Sequence, residues 1–178
     1  EGEGTKIQVK VCGLMGGHSG AEIDKNRANA NKLMGRFLYG LKKKADYAVI
    51  SLAGGQKDNA ITRECITEFL TDAPEEVKAY AKELQEQIRE EYTGSDENIT
   101  IEVKENGVET AQVLHPTSQE KIVFYLQNVP FGIQKMSGTI KGLVESSSNI
   151  GILRLDEDEL FASSSVRSSV DAACSAIS

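Results

Sequence analysis

His18 is the residue with the clearest chemical potential in this sequence, because it stands in a glycine-rich loop between a predicted strand and a predicted helix. Gly16, Gly17 and Gly20 flank it, and glycines let a backbone approach a ligand or adopt positive φ. The helix start behind the loop would favour negative charge, so the imidazole could donate to a carboxylate or an oxyanion. The alternative is a tight turn that needs glycines and leaves the histidine exposed. On spacing alone, this second interpretation is favoured.

Four more polar residues are candidates for binding. Arg167 lies in a predicted strand of small hydroxyl residues, where a guanidinium could bind a carboxylate through two hydrogen bonds; the alternative is an edge strand that uses charge to block aggregation. Asn59 stands in a polar turn, a position for which asparagine is favoured without any ligand. Ser148 and Asn149 belong to a Ser-Ser-Ser-Asn patch, which could line a pocket or form a bulge.

Histidines and cysteines are too sparse and too far apart for a transition-metal site. His18 and His115 belong to no compact ligand cluster, and Cys12, Cys65 and Cys174 form no Cys-x-x-Cys pair. The glycine loop also lacks the Gly-Lys-Ser/Thr end of a P-loop and the spacing of a dinucleotide fingerprint. We therefore expect no metal or nucleotide cofactor within this chain.

Composition is that of a globular chain of 178 residues with a formal net charge of −7. Binders of nucleic acid or of anionic membranes normally carry the opposite charge balance. No run approaches the roughly 18 apolar residues of a membrane span. We expect neither nucleic acid nor membrane as a partner, and the unpaired cysteines suit a reducing cytoplasm.

The first 106 residues predict a β-α-β-β-α-β order, the split βαβ of a ferredoxin-like sandwich. Alternation of apolar and polar residues predicts a strand over 7–11, and Ser19 with Glu22 has the spacing of a capping box. The predicted elements are that first strand, a helix from the capping box to about residue 42, strands over 47–52 and 60–70, a helix from Pro74, and a strand over 99–103.

Residues 107–178 predict a second, related β-α-β-β-α unit that is truncated at its C-terminal end. Asn106-Gly107 is a two-residue hairpin signal. The elements predicted after it are a strand over 108–114, a helix capped by Thr117 and Glu120, strands over 139–155 and 160–170, and a last helix near Asp171. The predicted fold class is α+β.

Several separated motifs resemble, in the same order, those of the aminoacyl-histidine dipeptidases, bacterial di-zinc peptidases that include carnosine-cleaving enzymes. They are VCGLMGGHSG at 11–20, GG at 54–55, NAI at 59–61, RE at 63–64, MS at 136–137, VESSSNIG at 144–151 and VRSS at 166–169. The resemblance covers most of the chain. It departs at Thr62, where the family has proline, and at Ser146, where it has threonine.

This resemblance implies that the chain is the lid, or dimerisation, domain of such an enzyme without its catalytic zinc domain. The parent would be a cytoplasmic homodimer that hydrolyses Xaa-His dipeptides with two zinc ions, and the fragment alone would be inactive. His18 would stabilise the oxyanion of the tetrahedral intermediate, from its own subunit or across a dimer. Arg167 would bind the C-terminal carboxylate of the dipeptide, Asn59 would hydrogen-bond substrate nearby, and Asn149 and Ser148 would contact substrate as parts of a family motif.

Two alternatives from other classes stay open. The chain could be a non-catalytic regulatory or dimerisation module of ferredoxin-like type that binds a small metabolite away from His18, Asn59 and Arg167. It could also be a purely structural assembly module, in which case these three residues should not converge on one face.

Overall fold

The structure, a computed structural model, describes residues 1–156 and 159–169. The strands in this part are β1 (Gly2–Cys12), β2 (Gly17–His18), β3 (Ala48–Gly54), β4 (Ala60–Ile61), β5 (Cys65–Thr71), β6 (Thr100–Ala111), β7 (Gly132–Met136), β8 (Val144–Asp156) and β9 (Glu159–Ser168). The α-helices are α1 (Ala30–Leu41), α2 (Pro74–Glu91) and α3 (Pro116–Asn128), and a 3-10 turn covers Ile23–Lys25. The predicted α+β class is confirmed.

β1, α1, β3, β5, α2 and β6 form the ferredoxin-like unit that the sequence predicts. Their strands lie in the order β6-β1-β5-β3, and each pair of neighbours is antiparallel. Ile7, Val9 and Val11 alternate along β1 and are fully buried, as period-two patterning requires. They share one core with the apolar stripes of the two helices, which include Met34, Phe37 and Leu38 of α1 and Val77, Leu84 and Ile88 of α2.

β8 extends this sheet beyond the ferredoxin-like unit. Leu155 of β8 pairs with Leu52 of β3 on one side and with Leu160 of β9 on the other. Farther along β8, Ser147 lies between Ile133 of β7 and Arg167 of β9. β3 and β7 therefore pair with the same edge of β8, and no strand of the described residues pairs with the stretch of β8 between them.

The hairpin predicted at Asn106-Gly107 is wrong. β6 runs through these residues and stays paired with β1, because Ile7 lies opposite Glu105 and Thr5 lies opposite Val108. The register shift between these pairs forms a β-bulge, with Gly107 at φ +87°. The strand predicted over 108–114 is thus the end of β6. The boundary between residues 106 and 107 falls inside this strand, and the division of the chain at that point stays a prediction.

The helix start predicted at Ser19 and Glu22 is also wrong. α1 begins at Ala30, and Asn29 is its N-cap, with Oδ1 accepting the main-chain N–H groups of Asn31 and Lys32. An asparagine oxygen satisfies the otherwise unpaired first N–H groups of a helix in this way. The residues between the predicted and observed starts form the loop that carries His18.

Smaller differences concern the second half of the chain. α3 is capped by the Nδ1 atom of His115, which accepts the Thr117 N–H, so the helix starts before the predicted cap. β7 was not predicted, and the strand predicted over 139–155 begins at Val144. The region predicted as one strand over 60–70 contains two, β4 and β5. The last predicted helix, from Asp171, lies outside the described residues.

Candidate functional site

The loop that carries His18 is held at both ends by one buried carboxylate. Asp96 is 1% exposed, and its two oxygens accept the main-chain N–H groups of Met15 at 2.6 Å and of Ala28 at 2.7 Å. Short hydrogen bonds to a carboxylate are among the stronger ones in proteins. Sequence analysis missed Asp96, since no local pattern connects it with a loop about 70 to 80 positions away in the chain.

His18 lies in this loop with a defined hydrogen-bond state. Its Nδ1 atom accepts the main-chain N–H groups of Gly20 at 3.1 Å and of Ala21 at 3.2 Å. A nitrogen that accepts a hydrogen bond carries no proton, so a neutral ring has its proton on Nε2. The side chain is exposed. His18 therefore offers an N–H donor to a group outside the chain.

Arg167 and His18 both approach Gly20. A Cβ atom at Gly20 would lie 3.0 Å from the Cζ atom of Arg167 and 3.1 Å from the Cε1 atom of His18. The Cζ atom of Arg167 and the Cε1 atom of His18 are therefore no farther apart than the sum of these two distances. Arg167 is exposed and has no carboxylate within ion-pair distance among the described residues. Its five N–H donors are available to an anion.

Asn59 is brought to the same loop through its main chain. β2 pairs with β4, with His18 opposite Ala60, and the N–H of Ser19 donates to the carbonyl of Asn59 at 2.9 Å. The Asn59 side chain is exposed. The structure therefore brings together His18, Asn59 and Arg167, which the purely structural alternative did not predict.

Asn149 is a buried residue that binds the backbone on both sides of Asn59. It is 1% exposed, and its Nδ2 atom donates to the carbonyls of Asp58 at 3.1 Å and of Ala60 at 2.9 Å, while its Oδ1 atom accepts from Asn29. Both amide hydrogens are thus used within the chain. The side chain thus holds the backbone on both sides of Asn59, and the direct contact of Asn149 with substrate stays a prediction.

The gap between β3 and β7 on the edge of β8 is closed by polar side chains from the same region. The carbonyl of Ile150 accepts from the Asn29 amide at 2.9 Å and from the Thr62 hydroxyl at 3.1 Å. The Thr62 hydroxyl also lies 3.0 Å from the carbonyl of Gly151. Thr62, at a position where proline was expected, therefore supplies hydrogen bonds that close this gap.

Ser148 lies elsewhere. It is 2% exposed and is paired with Gly132 of β7 and Val166 of β9. Successive residues of a strand point to opposite faces, and Arg167 pairs with Ser147. Ser148 is therefore on the face opposite to Arg167, so the structure does not bring it into the group formed by His18, Asn59 and Arg167.

The described part of the chain has two buried thiols and no cluster of metal-binding side chains. Burial raises the pKa of the Cys65 thiol far above its ordinary value and also raises the pKa of Cys12, which keeps both thiols protonated and unreactive. Within residues 1–156 and 159–169, no group of three or more His, Cys, Asp or Glu side chains is placed to hold a metal ion. Cys174 lies outside these residues.

None of the helices in the described part is long and apolar enough to cross a membrane.

Comparisons with known proteins show that most of the chain is similar to peptidases. Residues 9–96 match the family model of a peptidase dimerisation domain. The chain is similar to the cytosol non-specific dipeptidase of Escherichia coli (strain K12), with 30% identity over 167 residues that cover 93% of this chain and 34% of that protein.

A solved structure extends the similarity to three dimensions. The crystal structure of aminoacylhistidine dipeptidase from Vibrio alginolyticus matches with a TM-score of 0.93 and 30% identity, over 97% of this chain and 36% of the other. The chain thus spans about a third of the length of both relatives.

Proposed function

We propose that this chain, which resembles the aminoacyl-histidine dipeptidases and whose residues 9–96 match a peptidase dimerisation domain, is the lid of a homodimeric, cytoplasmic dipeptidase. The proposed substrate class is Xaa-His dipeptides. The reaction is hydrolysis of the peptide bond, with two zinc ions held by a catalytic domain that lies outside these 178 residues. The chain supplies groups that bind substrate and stabilise the transition state.

The observation that carries this proposal is the convergence of His18 and Arg167 around Gly20. In a dipeptide, the scissile carbonyl and the C-terminal carboxylate are separated by one residue, roughly 3.8 Å between Cα atoms. A cation for the carboxylate and an N–H donor for the carbonyl oxygen must therefore lie close together. Longer peptides would extend past Arg167, which accounts for a restriction to dipeptides.

Each group has a role that fits its hydrogen-bond state. The Arg167 guanidinium binds the carboxylate through two parallel N–H···O bonds. The Nε2–H of His18 donates to the oxygen that becomes negatively charged in the tetrahedral intermediate, and losing one such donor typically costs about 10²–10³ in turnover. The exposed amide of Asn59 contacts substrate beside them, and Asn149 holds the Asn59 backbone in place.

The proposed zinc ions would be held outside the part of the chain that the structure describes. No metal-binding cluster is present in its described residues, and the Nδ1 atom of His18 is used by two backbone N–H groups. As the family resemblance implies, we propose that the metal belongs to the remainder of the parent protein and that the Nε2 atom of His18 faces substrate.

The proposal is tested with the full-length parent and two variants, His18→Ala and Arg167→Ala, together with Arg36→Ala as a remote surface control. The substrates are an Xaa-His dipeptide and the same dipeptide with a C-terminal amide. We expect His18→Ala to lower kcat by about 10²–10³ with unchanged zinc content. Arg167→Ala should raise KM and remove the preference for the free carboxylate.

Unchanged turnover in His18→Ala would refute the oxyanion role. Retained discrimination against the amide in Arg167→Ala would refute the carboxylate role. Hydrolysis by the 178-residue chain alone, with added zinc, would refute the assignment of the metal to an absent domain. Tight binding of a small metabolite by this chain, at a site unaffected by both variants, would favour the regulatory module instead.

A further inference from the structure

We propose that Glu22 and Arg27 are positioning residues that fix the direction in which His18 presents its Nε2–H. This inference rests on the proposed function, because it concerns the same histidine, but the contacts that support it are independent of any activity. The Oε2 atom of Glu22 accepts the main-chain N–H of His18 at 2.9 Å. Its Oε1 atom lies 2.9 Å from the Nη1 atom of Arg27.

Arg27 completes the support on the other side of His18. Its Nη1 atom donates to the carbonyl of Gly16 as well as contacting Glu22. The backbone is thus held immediately before Gly17 by Arg27 and immediately after it by Glu22. Arg27 is the more enclosed partner, with 17% of its side chain exposed against 35% for Glu22.

The loop needs such support because the two residues before His18 are glycines. Gly16 and Gly17 both have positive φ, +66° and +137°, and glycine is the residue with the largest conformational freedom to lose. A Cβ atom at Gly17 would lie 2.2 Å from the Nη1 atom of Arg27 and 2.5 Å from the Oε2 atom of Glu22. The ion pair therefore occupies the volume that a side chain at Gly17 would fill.

The support is transmitted to the ring through the backbone of residues 18–22. The N–H of Glu22 donates to the carbonyl of His18 at 2.9 Å, so His18 and Glu22 are joined by two hydrogen bonds in opposite directions. Two of the three residues between them, Gly20 and Ala21, direct their N–H groups at the Nδ1 atom of His18. If this turn opened, those donors would leave and the ring could rotate or change tautomer.

Electrostatics favour the same arrangement. The amide of His18 and the guanidinium of Arg27 hold the pKa of Glu22 below its ordinary value, so Glu22 is ionised at neutral pH. An ionised carboxylate accepts both hydrogen bonds at once, and charge-assisted bonds are stronger than neutral ones.

The first experiment needs no catalytic activity. With 15N-labelled histidine, the 178-residue chain gives signals from two histidines, His18 and His115, and the ring nitrogen shifts report the tautomer of each. We expect the Nε2–H tautomer for His18. Glu22→Ala should shift the His18 signals toward a mixture of tautomers and leave those of His115 in place. Glu91→Ala, which removes another surface Glu–Arg pair, is the matched control and should change neither.

The second experiment measures kinetics in the full-length parent. Misplacing a catalytic group by about 1 Å can cost up to 10²-fold, and we expect Glu22→Ala to lower kcat about tenfold with KM changed less than twofold. In a His18→Ala background, Glu22→Ala should cause no further loss, because its effect acts through that ring.

The outcomes separate this inference from the proposed function. Unchanged His18 ring signals in Glu22→Ala overturn the positioning role, as does an equal kcat loss with and without the His18 side chain. If the ring signals change as expected but His18→Ala turns over normally, the positioning role stands and the oxyanion role fails.

Discussion

Replacement of Asp96 by alanine should loosen the loop that carries His18 and destabilise the whole domain. The side chain is 1% exposed and accepts two backbone N–H groups, at 2.6 and 2.7 Å. A hydrogen bond to a charged group contributes about 1.5–3 kcal/mol, and its loss leaves a buried donor unpaired. We therefore expect the free energy of unfolding to fall by about 3–5 kcal/mol. For a domain of this size the melting temperature would fall by roughly 10 °C.

Asparagine at this position should be nearly as harmful as alanine. An Asp96→Asn side chain has one oxygen and one NH₂ group, so its NH₂ would face either the Met15 N–H or the Ala28 N–H, donor against donor. A buried pair of donors costs the desolvation of both. Asparagine has the same shape as aspartate, but it does not restore the stability lost in Asp96→Ala. At an exposed carboxylate, by contrast, replacement by asparagine usually leaves stability unchanged.

Urea unfolding of the wild-type chain and of the two Asp96 variants measures this effect. Trypsin cleavage after Lys25 and Arg27, both within the loop, reports its local opening. Asp24→Ala is the matched control, since Asp24 is exposed in the same loop and should change stability by less than about 0.5 kcal/mol. A loss below about 1 kcal/mol in Asp96→Ala, or cleavage no faster than in Asp24→Ala, would refute the account of Asp96 as the clamp of this loop.

Two further predictions concern stability. Asn149→Ala leaves the carbonyls of Asp58 and Ala60 without their donors and should cost about 2–3 kcal/mol in urea unfolding; a loss no greater than that of the exposed control Asn128→Ala would contradict the supporting role. Arg36 holds the pKa of Glu91 below the ordinary value of 4.5, so this pair stabilises the fold above that pH and its contribution disappears as the pH falls through the lower folded-state pKa. Glu91→Gln should therefore lose less stability than the wild type between pH 7 and pH 3, and parallel losses in the two proteins would show that the pair contributes nothing.

The ferredoxin-like half could be predicted because its signals are local. Alternation over Ile7–Val11 and the proline followed by two acidic residues at the start of α2 depend on neighbouring residues alone. The hairpin at Asn106-Gly107 failed for the opposite reason. A two-residue turn signal competes with whatever strand lies beside it, and β1 continues past the turn with partners on both sides. The signal then produces a bulge within β6.

The candidate site also contains residues that the sequence could predict and residues that it could not. His18, Asn59 and Arg167 stand out by residue type and by family motif, whereas the residues that hold them do not. Asp96 acts across a large separation in the chain. Glu22 has the spacing of a capping box, but its carboxylate binds the His18 N–H and Arg27, and the helix begins later, at Ala30, with Asn29 as its N-cap. Spacing indicates what a side chain can reach, while tertiary contacts decide which of the available groups it binds.

The position of β9 at the end of the described chain has a consequence for synthesis. The His18 loop and Asp96, which holds both of its ends, have left the ribosome once β6 ends at Ala111, whereas Asn149 follows with β8 and Arg167 only with β9. At 5–20 residues per second, the interval is on the order of several seconds. During that time the nascent domain has its histidine loop without the guanidinium beside it. The guanidinium that we propose as the carboxylate ligand therefore joins the loop only when β9 pairs with β8.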